Sequence, residues 1–292
     1  MASIAALAVT GVCLAVVRDR PAATAEIAHQ AAPPELATSP APQPTRTPPA
    51  AAVPVVPRYT PGNFVDADPK PAGYELRAWA YMDRQTGFIN GSSNSASAHN
   101  STESMIKAWI ASDYLRRLGS AKPAPERLRQ ITGMIRDSND QDAQAVWAAD
   151  GRDSVVRRLI SVCGLKNTKV WHEWWSRTQI TAQDAVLMGN CIADGTAAGP
   201  RWTDYVLNEM RHVRGEGRFG IVKALPADQQ SRLAIKNGWT AIGWDHDQWH
   251  VNCLGITDDW VLVVQVKYPE RLGLKYGAGY CQSQAATILS RI

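Results

Sequence analysis

The sequence predicts an α+β domain in which one antiparallel sheet takes strands from both chain ends and a block of helices fills the middle. Three observations carry this expectation. Strand-like alternation is concentrated near residues 76–90 and again after residue 232, and six helical segments lie between them. All eleven tryptophans fall between Trp79 and Trp260, which puts the core in the C-terminal four-fifths of the 292-residue chain. Strands flanking a helical block share a sheet only if the two ends of the domain meet.

The first residues read as targeting. Ile4 to Val17 is a run of fourteen apolar residues, too short to span a bilayer comfortably and suited to a signal-peptide core. Ala23-Thr24-Ala25 has the small-x-small form of a cleavage site. No Lys or Arg precedes the run, and Arg18 and Arg20 follow it, so residues 1–29 are assigned as a signal peptide or a membrane anchor. Cys13 follows Val12, where lipoprotein processing needs a small residue, and lipidation is not supported. Residues 30–61, dominated by Ala, Pro and Thr, bury too little to fold and read as a disordered spacer. Residues 62–292 form the folded domain. The expectation is an exported protein, extracellular, in the cell wall or membrane-tethered, that meets a membrane only through its N-terminal segment.

Within the domain, Leu76 to Tyr81 alternates as a strand, Asp83 to Gly87 supplies a turn, and Phe88-Ile89-Asn90 completes a hairpin. Helical patterns follow at 101–118, 124–136, 140–149, 153–163, 181–194 and 202–213. Strands follow at 232–235, 248–256 and 260–268, with a last helix from about 279. Cys163, Cys191, Cys253 and Cys281 suggest two disulfides in an exported domain. Three pairings are open, and Cys163–Cys191 with Cys253–Cys281 is favoured because each closes a local loop. No pair has the CxxC spacing usual for zinc, and no metal or other cofactor is expected. The net charge of +4 is spread without a Lys/Arg block, which argues against a dedicated nucleic-acid binder.

Three short motifs carry chemistry. In Ser104-Met105-Ile106-Lys107, Asn100 and Glu103 have capping-box spacing that would start a helix at Ser101. Ser104 would then sit in the first turn and Lys107 one turn on, along the same face. The helix dipole favours negative charge at the serine oxygen, and a lysine kept neutral by burial can take its proton. Ser138-Asn139-Asp140 follows an apolar turn, and Lys236-Asn237-Gly238-Trp239 follows a strand-like run. Each motif alone is weak, and a capped helix is the plainer reading of the first. Their order is the signal.

That order resembles the class A β-lactamases and D,D-peptidases of the serine penicillin-recognising superfamily, whose pattern is SxxK, SDN and KTG. The resemblance covers roughly residues 74–292. The stretch from Lys236 through Trp249-His250-Val251-Asn252 resembles an exported serine-hydrolase branch. It implies a β-lactamase/transpeptidase-like fold with an all-helical subdomain beside the sheet. Ser104 would be the acylated nucleophile, Lys107 its base, and Ser138 a proton relay to the leaving group. Lys236, with Asn237 and Gly238, would bind a substrate carboxylate, and the amides of Ser104 and Trp239 would form the oxyanion hole. The implied substrate is a peptidoglycan-type peptide or a small ester or amide, handled by a monomer.

The departures matter as much. Asp140 stands where the pattern has Asn, and its charge favours protonated lysines nearby. Asn237 stands where Thr or Ser binds the carboxylate. Glu173, the sole carboxylate of the Lys166–Gln183 loop, is the one candidate there for activating water, although a solvated surface glutamate is the plainer assignment. Efficient β-lactam hydrolysis is not expected. The leading expectation is a serine hydrolase or acyl-transferase using Ser104. The competing one is a catalytically impaired binding or scaffolding domain of the cell wall, and a metallohydrolase built on His246 and His250 ranks far behind. Gly215 to Gly220 fits GxGxxG but follows a helix, so chance is the better reading. Asp245-His246-Asp247 reads as a solvated hairpin loop with His250 pointing away from it. The Trp171–Trp175 cluster reads as indoles packed under a site wall.

Overall fold

The computed structural model describes residues 75–292. The expected targeting segment, the spacer and the first residues of the domain lie outside this range.

Strand β1 (Leu76–Asp83) turns through Gly87 into β2 (Ile89–Gly91), the expected hairpin. The last two long strands, β7 (Gln248–Ile256) and β8 (Trp260–Pro269), form a second hairpin. β1 pairs along its whole length with β8, from Leu76 opposite Lys267 to Asp83 opposite Trp260, so the two ends of the domain close one antiparallel sheet. The other edge of β7 is shared by β5 (Ala234–Ile235) and β6 (Gly238–Ile242). Strands β1, β7 and β8 are buried along most of their length, as strands covered on both faces must be.

One face is covered by α5 (Ala182–Ala193). Gly189 lets it sit close, since a Cβ there would meet Val261 Cγ1 at 2.6 Å and Leu254 Cδ1 at 3.0 Å. Helix α8 (Gly273–Leu289) also packs on β7 and β8, burying Cys281, Ala285 and Ile288. It begins six residues before the expected start. The glycines at 273, 277 and 279 oppose helix by propensity, but Gly277 is where α8 lies against Tyr268, whose ring a Cβ would meet at 2.6 Å. Packing decides against propensity there.

The helical block comprises α1 (Lys107–Arg117), α2 (Pro125–Arg136), α3 (Asp140–Ala149), α4 (Asp153–Val162) and α6 (Thr203–Arg211), with a single turn α7 (Ile221–Ala224) leading back to the sheet. α1 is its centre, packing on α2, α3, α4, α5 and α6. Trp109, Ile110 and Leu115 are wholly buried, and the Trp109 indole donates to Val155 O at 2.9 Å. The favoured disulfides are both formed. Cys163–Cys191 joins the end of α4 to α5, and Cys253–Cys281 joins β7 to α8.

Two expectations are corrected at the start of α1. Residues 99–101 do not begin a helix; they form β3 (His99–Ser101), paired with β4 (Gln179–Thr181). A 3-10 turn at Glu103–Ile106 then leads into α1. The capping box does not form because both side chains are engaged elsewhere. Asn100 donates to Val251 O and Asn252 Oδ1, and Glu103 is held by Ser101 and Arg177.

Candidate active site

Ser104 opens onto a cavity of about 800 Å³. The cavity is bounded by Ser138 and Asp140, by Glu173 to Ser176, and by Trp239 and Thr240. Four segments supply the walls, and those of Ser104, Ser138 and Trp239 are each held by their own local chemistry.

Ser104 lies in the 3-10 turn, one turn ahead of Lys107. The residue before it, Glu103, has φ +47°, an uncommon conformation for a side-chain-bearing residue. Ser138 also has positive φ, +57°, in the turn between α2 and α3. Asn139 follows as the N-cap of α3, its side chain accepting from the Asp142 amide at 2.9 Å. The cap thus starts α3 directly after Ser138, close behind the end of α2.

The third segment comes from the start of β6. Gly238 sits where a Cβ would meet Thr102 O at 2.4 Å, Met105 N at 2.7 Å and Ser104 N at 2.9 Å. Only glycine allows β6 to lie this close to the serine turn, which brings the chain carrying Trp239 beside the Ser104 amide.

Around Ser138 the two lysines converge. Lys107 Nζ donates to Ser138 O at 2.6 Å and to Asp140 Oδ1 at 2.5 Å, and lies 3.4 Å from Ser138 Oγ. Lys236 Nζ donates to Ser138 Oγ at 2.9 Å and to Asn237 O at 3.2 Å. Both lysines are fully buried, whereas the Asp140 side chain is 80% exposed. Burial pushes the Lys107 ammonium below its ordinary range, and the hydrogen bond and charge of Asp140 oppose it. Lys236 is pushed much further down, by burial first and by the Lys107 charge second. Burial thus disfavours charge on both amines, and Lys107 has a carboxylate at hydrogen-bond distance to oppose it.

The structure brings Ser104, Lys107, Ser138, Asp140, Lys236 and Gly238 together, with one correction. The Asn237 side chain does not face substrate. It is buried and donates to Gly217 O at 3.0 Å and Phe219 O at 2.9 Å, pinning the chain before β6. The amine of Lys236, the expected carboxylate-binding residue, is covered beneath Ser138. Glu173 borders the cavity with an exposed side chain, 3.4 Å from Arg152.

No protein-family model matches the chain, and no curated protein matches it by sequence. Comparison of the folds is informative. An ancestral class A β-lactamase superposes with a TM-score of 0.58 at 13% identity, over 75% of this chain and 95% of its own. A β-lactamase from Xanthomonas campestris pv. campestris gives 0.58 at 13% identity, over 73% of this chain and 90% of its own. The chain has the class A β-lactamase fold. Within that β-lactamase fold the helical block and the sheet meet at Ser104, where the three motifs lie.

The β-lactamase-like frame also carries features that the motifs did not reveal. Among the large apolar side chains, Trp171, Trp174 and Trp244 are exposed, against the expectation that the first two pack under a wall. The Arg177 guanidinium lies over the Trp174 ring at 5.3 Å and the Trp244 ring at 4.8 Å. His250 does not point away from the 243–247 loop. Its Nε2 lies 2.8 Å from Asp245 Oδ2, because the loop folds back over the sheet with positive φ at His246 and Asp247. Among the described residues, no three His, Cys, Asp or Glu side chains gather as metal ligands.

Proposed function

We propose that the protein is a serine hydrolase or acyl-transferase that forms an acyl-enzyme on Ser104. We further propose that it acts in the cell envelope, as an exported monomer, on a peptidoglycan-type peptide or a small ester or amide. The observation that carries the reading is the convergence of Lys107 and Lys236 on Ser138 beside Ser104, at the mouth of a cavity large enough for a small substrate.

In the proposed acylation the Ser104 oxygen attacks the carbonyl carbon and its proton passes to the Lys107 amine. The oxyanion is held by the Ser104 and Trp239 amides. Collapse breaks the bond to the leaving group, which takes a proton relayed through Ser138. Burial favours the amine that this step needs, and the Asp140 hydrogen bond and charge oppose it. A second reading draws on that same Lys107–Asp140 contact of 2.5 Å: a binding domain that retains the fold with its base permanently charged.

Peptide mapping after treatment with a fluorophosphonate or a fluorescent penicillin separates the two. Mass added at Ser104, and absent in Ser104→Ala, supports the enzyme. A folded protein that no acylating probe labels sinks it and leaves the binding domain.

A further inference from the structure

A file of polar side chains runs from the cavity wall to the surface behind Ser104. Glu103 is part of that wall and is only 3% exposed. Its Oε1 lies 2.5 Å from Ser101 Oγ and 3.3 Å from Arg177 Nη1, and the Thr240 hydroxyl also reaches the carboxyl group. Ser101 Oγ lies 2.8 Å from His250 Nδ1. The other ring nitrogen of His250 lies 2.8 Å from Asp245 Oδ2, in contact but off the ideal hydrogen-bond angle. Ser101 and His250 are buried, while a quarter of the Asp245 side chain is exposed. Four side chains therefore link the reacting cavity to water.

The contacts can be satisfied in two ways with the same number of protons. In one, a Glu103 carboxylic acid donates to Ser101, Ser101 donates to His250 Nδ1, and His250 Nε2–H faces Asp245. In the other, Ser101 donates to a Glu103 carboxylate and an imidazolium donates to both Ser101 and Asp245. The two differ only by a proton shift along the file.

We propose that Glu103 is the proton-exchanging group that releases the acyl chain from Ser104, and that Ser101, His250 and Asp245 form the wire that exchanges its proton with solvent. This rests on Ser104 being the acylated nucleophile, and it supplies a water-activating base that Glu173, exposed beside Arg152, does not. Glu103 passes its proton through Ser101 to His250. The resulting carboxylate takes a proton from water as the water oxygen bonds to the acyl carbon. The tetrahedral adduct collapses, the bond from carbon to the Ser104 oxygen breaks, and that oxygen takes the proton from Glu103. The products are free Ser104 and a carboxylic acid. Burial raises Glu103 above the ordinary carboxylate range and pushes His250 down to about 3, so of the two Glu103 holds a proton more readily. Arg177, Asp140 and Lys107 also act on Glu103, and Lys267 and Arg177 on His250.

The test follows decay of the acylated Ser104 by mass spectrometry, with p-nitrophenyl acetate as acyl donor, in full-length protein from pH 4 to 9. Glu103→Gln should slow decay by ~100-fold or more, with acylation changed far less. The wild-type rate should climb with pH as Glu103 ionises, a limb that Glu103→Gln lacks. Ser101→Ala and His250→Gln should displace that limb while retaining acylation, which loss of packing alone would not do. Glu103→Asp, with melting temperatures for all variants, covers the case where the glutamine variant does not fold. Decay at the wild-type rate in folded Glu103→Gln or Glu103→Asp, or an unmoved limb in Ser101→Ala and His250→Gln, overturns the proposal alone. A Ser104 that no acyl donor modifies overturns both this and the function on which it rests.

Discussion

In the proposed acylation, Asp140 is the side chain that opposes the loss of charge from Lys107. It reaches Lys107 at 2.5 Å from an exposed position, so its influence is felt by a buried amine that has few other anionic neighbours. Asp140→Asn removes both the charge and the charge-assisted hydrogen bond that hold the ammonium. The base limb of acylation should therefore move to lower pH, and probe labelling of Ser104 at pH 7 should quicken on the order of tenfold, within the range a positioned base contributes. Stopped-time labelling across pH measures it; unchanged labelling would show that Lys107 is not the base. At this scale the sequence was legible where a residue's place follows from order along the chain, as with Ser104, Lys107 and Ser138, which the fold brings together. It was misleading for Asn237 and Glu103, whose partners Gly217, Phe219, Arg177 and Ser101 are brought to them only by the completed fold.

Elements dock on one another through a few close contacts, and β6 against the serine turn is the tightest at the site. Gly238→Ala would drive a methyl group into the backbone of Thr102, Ser104 and Met105. It should cost about 1–3 kcal/mol, the usual range for overpacking, and abolish labelling of Ser104 by spreading apart the Ser104 and Trp239 amides proposed to hold the oxyanion. Thermal melts and probe labelling read the two effects separately. The junction of α1 and α4 makes a different prediction. Asp150 is buried beside Asp113 between Arg117 and Arg158, and burial first, then Asp113, raises it to about 7. A carboxyl that binds its proton more tightly folded than unfolded stabilises most below its unfolded value of ~3.9. That contribution is lost as pH rises through about 7. Melting temperature should therefore fall across this window and become flatter in Asp150→Asn. The long elements were legible because periodicity extends over many residues. The short β3, β4 and β6 were not, since three to five residues hold little pattern and their pairing partners are remote.

The molecule is fastened by two covalent ties, each spanning 28 residues of sequence, one within the helical side and one between sheet and α8. By loop entropy each should contribute about 3–4 kcal/mol. Reduction should lower the melting temperature substantially, and Cys163→Ala/Cys191→Ala and Cys253→Ala/Cys281→Ala should share the loss additively, since the two loops are independent. The overall architecture was readable because strands at 76–83 and 260–269 had no other sheet to join.

That pairing has a kinetic consequence. A ribosome delivers β1 long before β8 exists, so the strand must wait, paired only with β2 over Ala80–Met82 and with its other edge open, until β8 has emerged. The helical block, rich in nearby contacts, can assemble meanwhile, but the nascent sheet cannot. Folding should be slow and late, governed by closure of the longest loop in the domain. Chains truncated before residue 260 should accumulate as aggregation-prone intermediates bound by chaperones.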